Sequence, residues 1–144
     1  MYQQILAPTD GSEMSGRAVE AAARLASLAG ARLAVLSVKE PFPYSAISEM
    51  QPVPPQEFYD AQERLASSRV ASALDVARAH GVQATGASVE ALHPWEAILE
   101  QAKAKGCDLI VMASHGRRGL GALLLGSETQ KVLTHSAVPV LVIR

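Results

Sequence analysis

From Asp108 to Ser136 the sequence reads DLIVMASHGRRGLGALLLGSETQKVLTHS. Leu109 to Met112 is a short unbroken apolar run bounded by small polar residues, which predicts a buried strand. Gly116 opens a loop holding Gly119 and Gly121, and Gly126-Ser127 begins a pattern of helical period. A strand, a glycine loop and a helix N-terminus in succession suit an anion. First-turn N–H groups have no intrahelical partner, the helix end carries partial positive charge, and glycine lets backbone approach without a Cβ in the way. The glycine order is G-x-x-G-x-G rather than the dinucleotide fingerprint G-x-G-x-x-G, and no Lys follows Gly126 as a Walker A sequence requires. A second reading of the same residues stays open. Ser127 with Gln130 fits a capping box, in which case Gly126-Ser127 only starts a helix and the glycines only serve turns.

Outward from this stretch, the chain alternates between the two periodicities. Ile5-Leu6-Ala7 is a short apolar run ending in Pro8-Thr9-Asp10-Gly11-Ser12. A helix is predicted over 13–29, with Ser12 as N-cap, Val19, Ala22, Ala26 and Ala29 on one stripe, and Gly30 as its stop. Arg32 to Val38 reads as the second strand. Lys39 to Pro55 holds five of the chain's eight prolines and predicts a long loop, either a lid, a disordered segment or a plain connection. Its Phe42, Tyr44, Ile47 and Met50 are the residues with which a lid would cover a ligand or partner. Gln56 to His80 forms the second helix, striped by Tyr59, Ala66, Val70, Ala73, Leu74 and Ala77. Val82 to Val89 is the third strand. Pro94 opens a helix that carries Trp95, Ile98, Leu99 and Ala102 on one face and ends at Gly106. Val138 to Ile143 closes the chain as a strand.

The order β-α-β-α-β-α-β-α-β predicts an α/β fold: one domain over 1–144, a parallel five-stranded sheet, and helices on both faces. Ligands of such sheets sit beyond the carboxyl ends of the strands, where the winding direction reverses. Two strand ends are equipped for this, Thr9-Asp10-Gly11-Ser12 after the first strand and Ala113-Ser114-His115-Gly116 after the fourth. If those strands are neighbours, an acid and a phosphate cradle share one cleft.

Composition excludes several classes. The chain has 144 residues, 49% of them hydrophobic, and no apolar run near the roughly 18 residues that span a bilayer, so no membrane is expected. An N-terminus without a basic region and the lone Cys107 point to a reducing cytoplasm. Thirteen basic and fourteen acidic side chains leave a net charge of −1, without the excess that nucleic-acid binding needs. His80, His93, His115 and His135 are dispersed, so no metal held by the protein alone is expected. Ser114 beside His115 invites a nucleophile-and-base reading, but adjacent side chains rarely face each other, and His115 is expected on a loop or the surface. No catalytic set emerges.

Taken together these residues resemble the universal stress protein family in its ATP-binding branch. The family's nucleotide motif is G-x-x-G, nine residues, then G-S or G-T. Here Ala113-Ser114-His115-Gly116 is followed by nine residues, Arg117 to Leu125, and then Gly126-Ser127. The resemblance extends over the whole chain, and its one departure is Ala113 in the place of the first motif glycine. It implies a doubly wound, Rossmann-like sheet of order 3-2-1-4-5 that binds ATP, with any Mg²⁺ carried by the phosphates. Thr9 and Asp10 would meet the adenosine part, Val38 would offer backbone hydrogen bonds to adenine, Met112 would lie near the ring, and Ala113 would lie near the ribose. Gly116, Gly126, Ser127 and the backbone of Glu128 would hold the phosphates. It also implies a homodimer joined along Val138–Ile143, an exposed edge that invites pairing. The function expected is a stress-response regulatory module. A nucleotide-free dimeric interaction protein and a slow ATP hydrolase are the alternatives.

Overall fold

The computed structural model describes residues 1–42, 55–116 and 124–144. Its elements are β1 (Gln4–Pro8), α1 (Glu13–Ala29), β2 (Arg32–Lys39), α2 (Gln56–Ala79), β3 (Ala84–Glu90), α3 (Pro94–Ala104), β4 (Leu109–Ala113), α4 (Ser127–His135) and β5 (Val140–Ile143). The strands form one parallel sheet in the order β3-β2-β1-β4-β5, as expected. The two-residue period of each strand divides its apolar side chains between the faces. Ile5, Ala7, Leu33, Val35, Leu109 and Val111 pack with α1 and α2. Leu6, Ala34, Leu36, Ile110 and Met112 pack on the other side with α3 and α4. Burying each of the larger of these side chains stabilises the fold by about 1.5–3 kcal/mol.

Small residues let the helices approach. Ala18, Ala22, Ala23 and Ala26 form the buried stripe of α1, capped by the Ser12 hydroxyl at one end and by Gly30, at φ 67°, at the other. Under α2, Gly86 of β3 leaves room for Val70, because a methyl at position 86 would run into Val70 Cγ1. Cys107 is buried in the second cluster; desolvation, reinforced by the Asp108 charge and opposed by Lys105, pushes its thiol up, so it packs as a small apolar side chain.

The element ends differ from expectation by a few residues, for identifiable reasons. Val82 is not in β3: Gly81 turns the chain at φ 69° and the Val82 N–H returns to Ala77 O, closing α2. β5 begins at Val140 rather than Val138, since Val138 N–H and C=O are engaged by the Ser136 hydroxyl. β2 and β4 each run one residue further than predicted, to Lys39 and Ala113. Tyr59 leaves the stripe of α2 and is 38% exposed. Most of the predicted Lys39–Pro55 loop lies outside the described residues.

Asp108 fixes where β4 meets β1. Its carboxylate accepts from Gln3 N–H (2.9 Å to Oδ2) and Gln4 N–H (3.1 Å to Oδ1), and its own N–H donates to Gln4 O. Desolvation pushes its pKa upward, but backbone hydrogen bonds from Gln3, Gln4 and Asp108 itself, with the N-terminal charge, together hold it below the ordinary value. A depressed carboxyl pKa stabilises the folded state above the unfolded pKa and ceases to do so as pH falls through the folded one. Asp108→Asn is therefore expected to cost about 1 kcal/mol at pH 7, discounted for partial exposure, and close to nothing near pH 2. Urea unfolding of both proteins at the two pH values measures this, and a difference that does not shrink in acid would contradict it.

Candidate functional site

β1 and β4 lie side by side, Ile5 opposite Leu109 and Leu6 opposite Ile110, while the helices that follow them leave on opposite faces. The loops after these two strands therefore lie where the winding of the sheet reverses, the usual ligand position of such folds. On the β1 side the turn is closed by its own side chains. Thr9 N–H donates to Leu36 O (2.8 Å), Thr9 Oγ1 accepts from Gly11 N–H and meets Ser15 Oγ at 3.1 Å, and Asp10 Oδ1 accepts from Ser12 N–H at 2.9 Å. Asp10 thus makes the Asx-turn that its position before Gly11 permits. Its second oxygen faces the other loop, for a methyl at Gly116 would stand 2.8 Å from Asp10 Oδ2. The acid after β1 and the glycine after β4 meet, and a side chain at position 116 would displace the Asp10 carboxylate.

On the β4 side, Ala113 O accepts from Thr129 Oγ1 (2.9 Å), Ser114 N–H donates to Ile143 O (2.8 Å), and Ser114 O accepts from Gly126 N–H (2.7 Å). Gly126, at φ −62° and ψ 153°, is the N-cap of α4 and supplies no side-chain acceptor. Ser127 is the first helical residue, so the capping box does not form; the Gln130 amide donates to Leu125 O instead. The first intrahelical bond runs from Gln130 N–H to Gly126 O, which leaves the N–H groups of Ser127, Glu128 and Thr129 ahead of it. A methyl on Gly126 would come 3.1 Å from Ser114 O and 4.0 Å from Gly116 N, so Asp10, Gly116 and Gly126 are contiguous. The Glu128 side chain turns away and its Oε2 accepts from Trp95 N–H (2.8 Å), capping α3 from the neighbouring helix.

Val38 sits at the end of β2. Leu36 O points to β1 and Lys39 O points to β3, where it accepts from Ala91 N–H. Because peptide groups alternate along a strand, the Val38 N–H and C=O point to the side from which β1 has already turned away. Met112 and Ala113 are buried, 6% and 8% exposed, and Met112 packs in one cluster with Leu36 and Val38. Arg117 and Arg118 lie outside the described residues.

One expectation is overturned at Ser114 and His115: His115 lies on the loop after β4, as expected, though only 7% exposed, but the adjacent side chains do face each other, with Ser114 Oγ 3.0 Å from His115 Nδ1. The strand-like direction of the chain is lost just after Ala113, so the alternation that separates neighbouring side chains no longer applies.

The sequence profile of the universal stress protein family matches residues 1–144. The chain belongs to the universal stress protein family. A universal stress protein of Thermus aquaticus, encoded beside a QAH/OAS sulfhydrylase gene, is 34% identical over the full length of both chains. Universal stress protein UspA from Lactobacillus plantarum superposes with a TM-score of 0.84 at 26% identity, over 99% of this chain and 98% of that one. A universal stress protein crystallised in complex with cAMP gives a TM-score of 0.74 at 30% identity, over 99% and 97% of the two chains.

Two residues beside the candidate site of this universal stress protein, Arg69 and Thr129, carry no signal in the sequence. Arg69 of α2 lies behind the Asp10 turn, its Nε 3.0 Å and Cγ 3.1 Å from where a Cβ on Gly11 would stand, and Gly11 has φ 80°. Thr129 anchors α4 to the end of β4. Arg69 sits mid-helix among surface-pattern residues, so only tertiary structure relates it to Gly11.

Proposed function

We propose that this protein is an ATP-binding regulatory module of the cytoplasm, acting as a homodimer. The observation that carries the reading is the meeting of Asp10 Oδ2 with Gly116 beside the Gly126 N-cap, which has no side-chain acceptor of its own. An acceptor-only carboxylate suits a ribose hydroxyl, and first-turn N–H groups suit phosphate. In this reading Asp10 and Thr9 lie at the ribose, the Val38 peptide groups read the adenine edge, and Met112 and Ala113 form the floor. Gly116, Gly126, Ser127 and the Glu128 N–H hold the phosphates. Among the described residues no group of three or more His, Cys, Asp or Glu side chains is placed to hold a metal ion, so Mg²⁺ would travel with the phosphates. Among them, too, no helix is long and apolar enough to cross a membrane. The cAMP complex of a relative supports an adenine nucleotide as the ligand class.

Asp10→Ala is expected to weaken ATP binding by about 1–3 kcal/mol through loss of a charge-assisted hydrogen bond. Its fold should survive, since Thr9 and Ser12 still close the turn. Calorimetry decides this, and a folded variant with the parent's affinity would leave Asp10 a turn residue only. For the dimer, β5 is the edge of the sheet and its Leu141 is 41% exposed. Sedimentation at micromolar concentration is expected to give twice the chain mass, and a charged residue in place of Leu141 to give the monomer. A parent protein that sediments as a monomer would refute the assembly.

A further inference from the structure

Between α1 and α2, behind the turn after β1, lies a cavity of about 230 Å³, lined by Ser12 and Gly16 at the start of α1 and by Ser68, Arg69 and Ser72 of α2. Of the residues assigned above to the nucleotide, only Thr9 borders it. Its volume is below the roughly 300–1,000 Å³ of pockets that enclose drug-sized ligands, which limits an occupant to a small ion or fragment.

Two features of the lining are unexplained by the fold. Ser68 and Arg69 precede Ser72 at helical spacing, so the three share the face of α2 turned to α1. Among the described residues none of these three side chains makes a hydrogen bond or an ion pair, and no carboxylate lines the cavity. Arg69 is nonetheless half-buried, its Nε 3.0 Å and its Cδ 3.3 Å from where a Cβ on Gly11 would stand. A guanidinium in that position has given up hydration without gaining an acceptor. Gly16 is the second feature. It lies inside α1, where glycine is a poorer helix former than alanine, yet a Cβ there would meet nothing within 4 Å. Close packing does not account for this glycine. What its missing side chain does is keep the cavity open.

The N-terminus of α1 is already capped by the Ser12 side chain, so recognition falls to the guanidinium and the hydroxyls. A guanidinium selects an anion, and its planar fork with hydroxyl donors beside it suits the oxygens of phosphate. We propose that the cavity between α1 and α2 binds a small phosphate-type oxyanion, inorganic phosphate or a small phosphate monoester, with Arg69 as the counter-charge and Ser68 and Ser72 as hydroxyl donors. This site does not depend on the nucleotide reading.

The test follows the Arg69 Nε–H signal and the backbone amides of Gly11 and Gly16 by nitrogen-15 NMR. The whole chain is titrated with inorganic phosphate, with glycerol phosphate, or with sodium chloride at matched ionic strength. Millimolar phosphate is expected to move these signals along a saturating curve, and chloride to leave them in place. A tighter response to glycerol phosphate assigns the anion to a monoester, and the reverse assigns it to the free ion. Arg69→Gln is expected to weaken phosphate on the order of tenfold. Gly16→Leu, which improves the helix and puts an apolar side chain into the cavity, should abolish the response of Arg69. The site is overturned by an Arg69 signal in the parent that ignores phosphate or follows chloride equally, and by parental phosphate affinity in either folded variant. Phosphate that moves only the amides of Gly116 and Gly126 overturns it as well, since the anion then sits at the loop after β4.

Discussion

Gly126→Val is expected to yield a folded protein that no longer binds ATP. Valine is compatible with the backbone there, because φ is −62° and not in the left-handed region. Its obstacle is steric: a Cβ at 126 would press on the Ser114 carbonyl at 3.1 Å and on His115 Cα at 3.4 Å. Relieving those contacts pushes the N-terminus of α4 away from the end of β4, at a cost of about 1–3 kcal/mol, and sets a branched side chain where phosphate would lie. Ser127→Ala provides the contrast. With the Ser127 side chain making no cap bond and its backbone N–H retained, it should weaken ATP only mildly and barely change stability. Circular dichroism establishes the fold and calorimetry the affinity. Full ATP affinity in folded Gly126→Val would remove the phosphate cradle and favour a nucleotide-free interaction protein.

Gly86→Ala is expected to have the opposite profile, a large loss of stability with nucleotide affinity unchanged. The added methyl runs into Val70 Cγ1 and also comes 3.3 Å from Leu74 Cδ1, so α2 must lift from β3. Overpacking of this kind costs about 1–3 kcal/mol, which lowers the melting temperature by roughly 3–10 °C for a chain of this size. Shortening the obstructing side chain should restore the fit, so Gly86→Ala combined with Val70→Ala is expected to be more stable than the sum of the single losses. Strict additivity in a thermal double-mutant cycle would show that the methyl finds room elsewhere.

The sheet was legible in the sequence because its central strands are buried on both faces and appear as unbroken apolar runs, Ile5-Leu6-Ala7 and Leu109 to Met112. The helix limits were legible where a side chain or glycine marks them, as Ser12 and Gly30 do for α1. They were misjudged where a backbone bond decides, as with Val82, whose N–H belongs to the end of α2. The two loops of the candidate site were visible as Thr9-Asp10-Gly11-Ser12 and Ala113-Ser114-His115-Gly116, yet their contact was conditional on β1 and β4 being neighbours, which no local pattern determines. Asp10 illustrates the remaining ambiguity: its sequence position allows a turn acceptor or a ligand acceptor, and the carboxylate's two oxygens make both compatible. Ser127 and Gln130 match a cap pattern that the chain does not use, since Gly126 takes the cap position itself. Ser114 and His115 were misjudged by a rule for strands applied one residue beyond the strand's end.

The clamp that joins Asp108 to Gln3 and Gln4 spans 105 and 104 positions of chain. On a ribosome adding roughly 5–20 residues per second, β1 waits some five to twenty seconds for its partner β4. Towards the end of that interval, once β3 is made, β1, β2 and β3 can already associate with α1 and α2, while one side of β1, rich in unpaired peptide groups, stays open to any passing strand. The nascent protein is therefore most vulnerable along its future centre rather than along its finished margin. The two loops of the candidate site, about a hundred residues apart in sequence, come into existence together only once β4 has been made.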